Sequence, residues 1–133
     1  MQLIHQTVTA VLVTPTEEYE GREYFQFALS LSNGETYRIG GGYPVGINLV
    51  SPDEIQSQSW SGNQEYAHLI GKQIAGVYGT YGDSEPYVVF TDGTVIHVTG
   101  EECGDIVVID TLTELRRHSS WAVDMWKPIP GVN

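Results

Sequence analysis

Five residues in a nine-residue window, His97, Glu101, Glu102, Cys103 and Asp105, are of the types that ligate transition metals. A closed zinc site asks for four well-placed nitrogen or thiolate ligands, and this chain has one cysteine and four scattered histidines. A solvated loop holding one buried thiol accounts for the same residues, so no metal is assigned. As a nucleophile Cys103 would need a base, but its neighbours Glu101, Glu102 and Asp105 are negative and disfavour the thiolate. No Ser or Cys motif accompanies His5, His68 or His118. The chain is therefore read as non-enzymatic, with no catalytic residue and no cofactor.

A second group could bind a small anion such as a nucleotide. Arg38, Gly40, Gly41, Gly42 and Tyr43 combine glycine backbones that can approach an anion with a guanidinium and a ring for phosphate and base. No phosphate-loop lysine follows. The competing explanation is a glycine-rich bend in a strongly curved sheet.

Charge is the more specific signal. Seventeen acidic against six basic residues leave a formal charge of −11, which repels nucleic-acid phosphates and anionic membranes. Between Gln73 and Leu115 there is no Lys or Arg. That stretch carries Asp83, Glu85, Asp92, Glu101, Glu102, Asp105, Asp110 and Glu114. The loop with Glu17, Glu18, Glu20 and Glu23 adds a further cluster, partly offset by Arg22. With Tyr19, Tyr81 and Tyr87 beside the carboxylates, these acids would form a surface suited to a basic protein groove. The expected partner-binding residues are Glu17, Glu18, Tyr19, Glu20, Tyr81, Asp83, Glu85, Tyr87, Glu101, Glu102 and Asp105. Solubility alone is the alternative explanation. There is no apolar run of about 18 residues and no basic-then-apolar leader. The single cysteine points to a reducing, cytoplasmic setting.

The elements that must position these residues read as mainly β, with α+β as the alternative. At 133 residues, with 41% apolar and 17% charged side chains, one domain spanning 1–133 is expected. Leu3 to Thr14 reads as a strand with Ile4, Val8, Ala10 and Leu12 on one side, and Pro15 to Glu23 as a solvated loop or hairpin tip. Tyr24 to Leu31 reads as a strand. Asn33-Gly34 predicts a two-residue type I′ turn into Glu35–Ile39. Ser51-Pro52-Asp53-Glu54 predicts a capped helix start.

The same order of features then recurs. Leu3-Ile4 matches Leu69-Ile70, Val8 and Val11 match Ile74 and Val77, and Asn33-Gly34 matches Asp92-Gly93. At one constant offset Ile39, Ile47 and Leu49 match Val98, Ile106 and Val108. Thr111-Leu112-Thr113-Glu114 is a second capping box, and Trp60 matches Trp121. Two tandem homologous β-hairpin and short-helix repeats, about 3–65 and 69–126, with a tail at 127–133, would pack as a pseudo-twofold sandwich or a curled, barrel-like sheet. Gln56 to Gln64 reads as the connection. Ser119 onward reads as a last strand with Trp121, Val123 and Met125 on one side, or as a continued helix. Exposed strand edges leave homo-oligomerisation open.

The second half resembles a group of short, uncharacterised domains of phages and bacteria. The shared features are L-x-G-K-x-I, F-x-D-G, an acidic-cysteine segment and I-x-D-x-x-x-x-L. Here they are Leu69, Gly71-Lys72 and Ile74, then Phe90-Thr91-Asp92-Gly93, then Glu101-Glu102-Cys103-Gly104, and finally Ile109-Asp110 and Leu115. The resemblance implies a mobile-element origin and assigns no activity. Paired cysteines of such domains are replaced here by Cys103-Gly104. The leading expectation is a non-enzymatic acidic binding protein that occupies a basic site on another protein, which an inhibitor of a host nucleic-acid enzyme or defence protein would fit; sequestration of a small anionic ligand such as a nucleotide is the alternative, and an enzyme with an unrecognised site ranks last.

Overall fold

In a computed structural model, which describes residues 2–40, 46–80, 85–101 and 104–132, apolar alternation produces strand β1 (Val8–Val13). A bulge between Val8 and Ala10 shifts the phase of β1. Val8, Val11 and Val13 consequently face the core, and Ala10 and Leu12 turn outward, unlike the expected face. A separate two-stranded ribbon follows, β2 (Glu17–Tyr19) and β3 (Arg22–Tyr24). The expected strand 24–31 is thus divided: the Gln26 N–H donates to Thr14 Oγ1 at 2.8 Å, and β4 (Phe27–Leu31) begins one residue later.

The hairpin between β4 and β5 (Thr36–Gly40) is not type I′. Its one left-handed residue is Gly34, at φ +86°. The Gly34 N–H donates to the Leu31 carbonyl at 3.0 Å and the Leu31 N–H to the Glu35 carbonyl at 2.9 Å. This is a three-residue connection with glycine in the bulge position, and Asn33 Oδ1 accepts from the Glu35 N–H instead of adopting positive φ. Strand β6 (Gly46–Leu49) follows. Helix α1 (Pro52–Ser57) starts as the capping box predicts, with Ser51 accepting from the Glu54 N–H. The expected connection contains strand β7 (Ser61–Gly62), which returns to β1.

After a 3₁₀ turn at Gln64–Leu69 come β8 (Ile74–Gly79), β9 (Tyr87–Phe90), β10 (Thr94–Glu101) and β11 (Gly104–Thr111). Helix α2 (Leu112–Asp124) and β12 (Lys127–Pro128) complete the chain. The expected final strand at Trp121–Met125 is therefore helix. Thr111 caps it by accepting from the Glu114 N–H, and Pro128 is held at a sheet edge, where its missing N–H is harmless.

The described chain is mainly β, with three open antiparallel sheets ordered β6-β5-β4-β1-β7, β11-β10-β9-β8-β12 and β2-β3. One core draws on both five-stranded sheets, through Val11, Phe27, Leu29 and Ile39 from the first and Ile74, Val88, Phe90 and Ile96 from the second. The tail takes part, since Ile129 and Val132 are buried and the Leu3 N–H donates to the Val132 carbonyl at 2.9 Å. Each outer face carries a smaller cluster under its helix. These are Leu12, Ala28, Val50, Ile55 and Trp60 on the first sheet, and Tyr78, Tyr87, Leu115 and Trp126 with their neighbours on the second.

The strand pairing does not keep the constant offset expected of two of the matches. Ile39 faces Ile47, whereas Val98 faces Val107, so the offset grows by one residue between β10 and β11. Trp60 precedes β7 as Trp126, not Trp121, precedes β12.

Candidate functional site

The ribbon β2–β3 places its acids outside both larger sheets. Glu17, Glu18, Glu20 and Glu23 are all exposed, and Glu18 stands directly opposite Glu23 in the pairing. Like charges so placed repel. The tip is a two-residue turn with both central residues left-handed, Glu20 at φ 52° and Gly21 at φ 76°. Glycine accepts that conformation freely, and glutamate does not. A cavity of about 320 Å³ opens at the ribbon's root, lined by Glu17, Tyr24, Phe25 and Gln58 among others.

The remaining expected partner-binding residues divide. Tyr81, Asp83 and Glu102 lie outside the described residues; Tyr19, Glu101 and Asp105 are placed in β2, β10 and β11 by backbone alone. Glu85 is exposed. Tyr87, expected as a surface anchor, is only 5% exposed; its outward-facing position on β9 is covered, and its ring stacks on His97 at 3.9 Å and leans on Trp126. Three acids of the positive-free stretch have basic partners brought from elsewhere. Lys72 pairs with Asp92, Arg117 with Glu114 at 3.0 Å, and His118 with Asp110 at 2.7 Å. The Lys72 ammonium and the Thr94 N–H hold the Asp92 carboxyl down at about 2.

For the anion site, Gly41, Gly42 and Tyr43 fall outside the described residues. Arg38 is 4% exposed, on the outward side of β5. Its guanidinium lies over Gly40, where an added Cβ would come within 2.5 Å of Arg38 Cζ. Glycine at 40 is thereby explained by close packing within the sheet. Among the described residues no three His, Cys, Asp or Glu side chains converge on a metal position, and Cys103 is outside them.

Sequence reasoning missed a cavity of about 240 Å³ between the outer face of β9–β11 and α2. Tyr87, His97, Val108 and Asp110 come from the strands, and His118 and Trp121 from the helix. His118 links Asp110, through Nε2, to Ser119 Oγ, 2.8 Å from its Nδ1. Ser119 breaks α2, with φ −145° and ψ 44° inside an otherwise helical run. The His118 bond, followed by the Thr111 N–H, holds the Asp110 carboxyl below its ordinary range. Burial pushes His97 below the usual imidazole value, against the opposing pull of Glu85, so its ring is neutral near pH 7. His97 Nε2 and Glu85 Oε2 are 4.0 Å apart, too far for a hydrogen bond. The one signal available in the sequence was His118 eight residues after Asp110, and no motif attaches to that spacing.

Among the described residues no helix is long and apolar enough to cross a membrane. Comparison with protein-family models, curated proteins and solved structures returned no match for this chain.

Proposed function

We propose that this chain is a non-enzymatic acidic binding protein, built from two copies of one β unit, that seats the β2–β3 ribbon in a basic cleft of another protein. The observation that carries the reading is that the ribbon keeps acids where they are locally unfavourable. Glu18 faces Glu23, and Glu20 occupies a left-handed turn position that Asn or Gly would fill with less strain. A ribbon selected only for folding has no use for either arrangement. The cavity beside Glu17 is of a size to admit a lysine or arginine side chain from the partner.

The two-copy reading is supported by backbone detail. Both sheets run in the same order, and both first strands are bulged at the same place, between Val8 and Ala10 and between Ile74 and Gly76. β7 meets β1 as β12 meets β8, Val13 facing Ser61 and Gly79 facing Lys127. Thr7 bridges Gln73, its own counterpart, and the flanking bonds are reciprocal: the His5 N–H donates to the Ile74 carbonyl at 2.8 Å and the Gly71 N–H to the Val8 carbonyl at 2.8 Å. A pseudo-twofold axis through that bridge, with the two sheets packed as a sandwich over the shared core, accounts for all of these.

A phage or mobile-element inhibitor of a host nucleic-acid enzyme or defence protein, acting in the cytoplasm, fits the acidity and the lone cysteine. The test is capture from bacterial lysate by the immobilised protein, alongside a variant with Glu17, Glu18, Glu20 and Glu23 all changed to Gln. A basic protein retained at low salt by the wild type, and lost both at high salt and in the variant, is the expected result. Equal capture by both proteins refutes the ribbon as the contact.

A further inference from the structure

We infer that the cavity between β9–β11 and α2 binds a small organic cation carrying a flat apolar group. This inference rests partly on the two-copy reading, in which the second copy has a segment that the first lacks. From the helix cap to the tryptophan before the last strand there are ten residues in Ser51–Trp60 and sixteen in Thr111–Trp126. The six additional residues fall after Leu115, the counterpart of Ile55, in the segment that holds His118, Ser119 and Trp121. Those side chains line the cavity. The break at Ser119 lies in the same segment, with no proline or glycine to cause it.

The lining defines the ligand. Among the described residues Glu85 contributes an exposed carboxylate with no Lys or Arg bordering the space, Asp110 contributes a second one that is hydrogen-bonded to His118, and His97 is held neutral. Anions are disfavoured there and an ammonium or guanidinium is favoured. Val95, Val108 and Leu115 give an apolar floor. Trp121, 58% exposed at the rim, presents an indole to a cation or a flat ring. Val108, half exposed on the outward side of β11, is apolar surface that such a ligand would cover. At about 240 Å³ the space is below the roughly 300 Å³ where drug-sized sites begin, which limits the ligand to about one ring.

The probe is benzylammonium, with benzyl alcohol and benzoate as neutral and anionic counterparts, titrated into the full chain by calorimetry and by NMR of the Trp121 indole N–H. That signal is assigned by its loss in Trp121→Ala. Benzylammonium should bind with Kd about 1 mM, as expected for so few atoms, and move the Trp121 signal. Benzyl alcohol should bind several-fold more weakly and benzoate weakest of all. Glu85→Gln, an exposed change that leaves the fold intact, should weaken benzylammonium about three- to fivefold. The inference is overturned if Trp121 does not respond to benzylammonium, if benzoate binds as tightly, or if Glu85→Gln leaves the affinity unchanged. None of these outcomes bears on the ribbon, whose partner binding is read separately.

Discussion

The tip of the β2–β3 ribbon allows folding and binding to be moved in opposite directions. Glu20 stands at φ 52°, where a side chain with a Cβ is disfavoured by roughly 1–2 kcal/mol. Replacing it with glycine removes that strain but adds about 0.4–1 kcal/mol of chain entropy to the unfolded state, which leaves a net gain of about 0.5–1 kcal/mol. Glu18→Gln relieves the repulsion from Glu23 and contributes a few tenths more. Because both residues lie in one short ribbon, their effects need not add. The double variant Glu18→Gln/Glu20→Gly should gain about 1 kcal/mol and melt about 3–5 °C higher, measured by circular dichroism at low salt. Its capture of a basic partner should fall. Raising stability while lowering binding is the signature of residues retained for contact. A lower melting temperature would show that these glutamates support the fold, and the argument from local strain would fail.

Other consequences follow from named contacts. Phe27 is fully buried in the core common to both sheets, so Phe27→Ala should cost about 3–5 kcal/mol and shift a single urea transition seen alike by near- and far-UV signals; two separate transitions would contradict a shared core. Gly71→Ala meets open space but a φ of +91°, and should lose about 1–2 kcal/mol, whereas His5→Gly, at φ 72°, should gain a few tenths. Opposite signs at these two positions, read from denaturation midpoints, are the check. His97 is kept neutral by burial, so below its unfolded value of about 6.5 the unfolded chain takes up a proton first and stability falls on acidification. In His97→Phe, which retains a ring against Tyr87, the drop in melting temperature between pH 7.5 and 5.5 should be smaller; an equal or larger drop would refute the assignment.

How much of this was legible in the sequence follows from the range of the forces involved. Capping at Ser51 and Thr111, and chain reversal at Asn33-Gly34 and Asp92-Gly93, are set by neighbours within a few positions, and each appeared where expected. The turn type did not follow, because Asn33 and Asp92 spend their side-chain oxygens on the backbone two residues on. The phase of β1 was misread because the bulge between Val8 and Ala10 leaves no mark in an apolar alternation. An equivalence of Trp60 with Trp121 rests on order along the chain alone, whereas strand pairing, which is not local, puts Trp60 just before β7 and Trp126 just before β12. The cavity was hidden for a related reason. His97, Asp110 and Trp121 come from two strands and a kinked helix, and nothing local draws them together.

Electrostatic seating of the ribbon is tested most directly by the association rate of the captured partner as a function of ionic strength, for the wild type and for the variant with all four ribbon glutamates changed to Gln. Attraction between the acids and a basic cleft predicts a wild-type rate that falls steeply as salt rises, a flattened dependence in the variant, and dissociation rates that change far less. Indistinguishable salt dependences for the two proteins would contradict it.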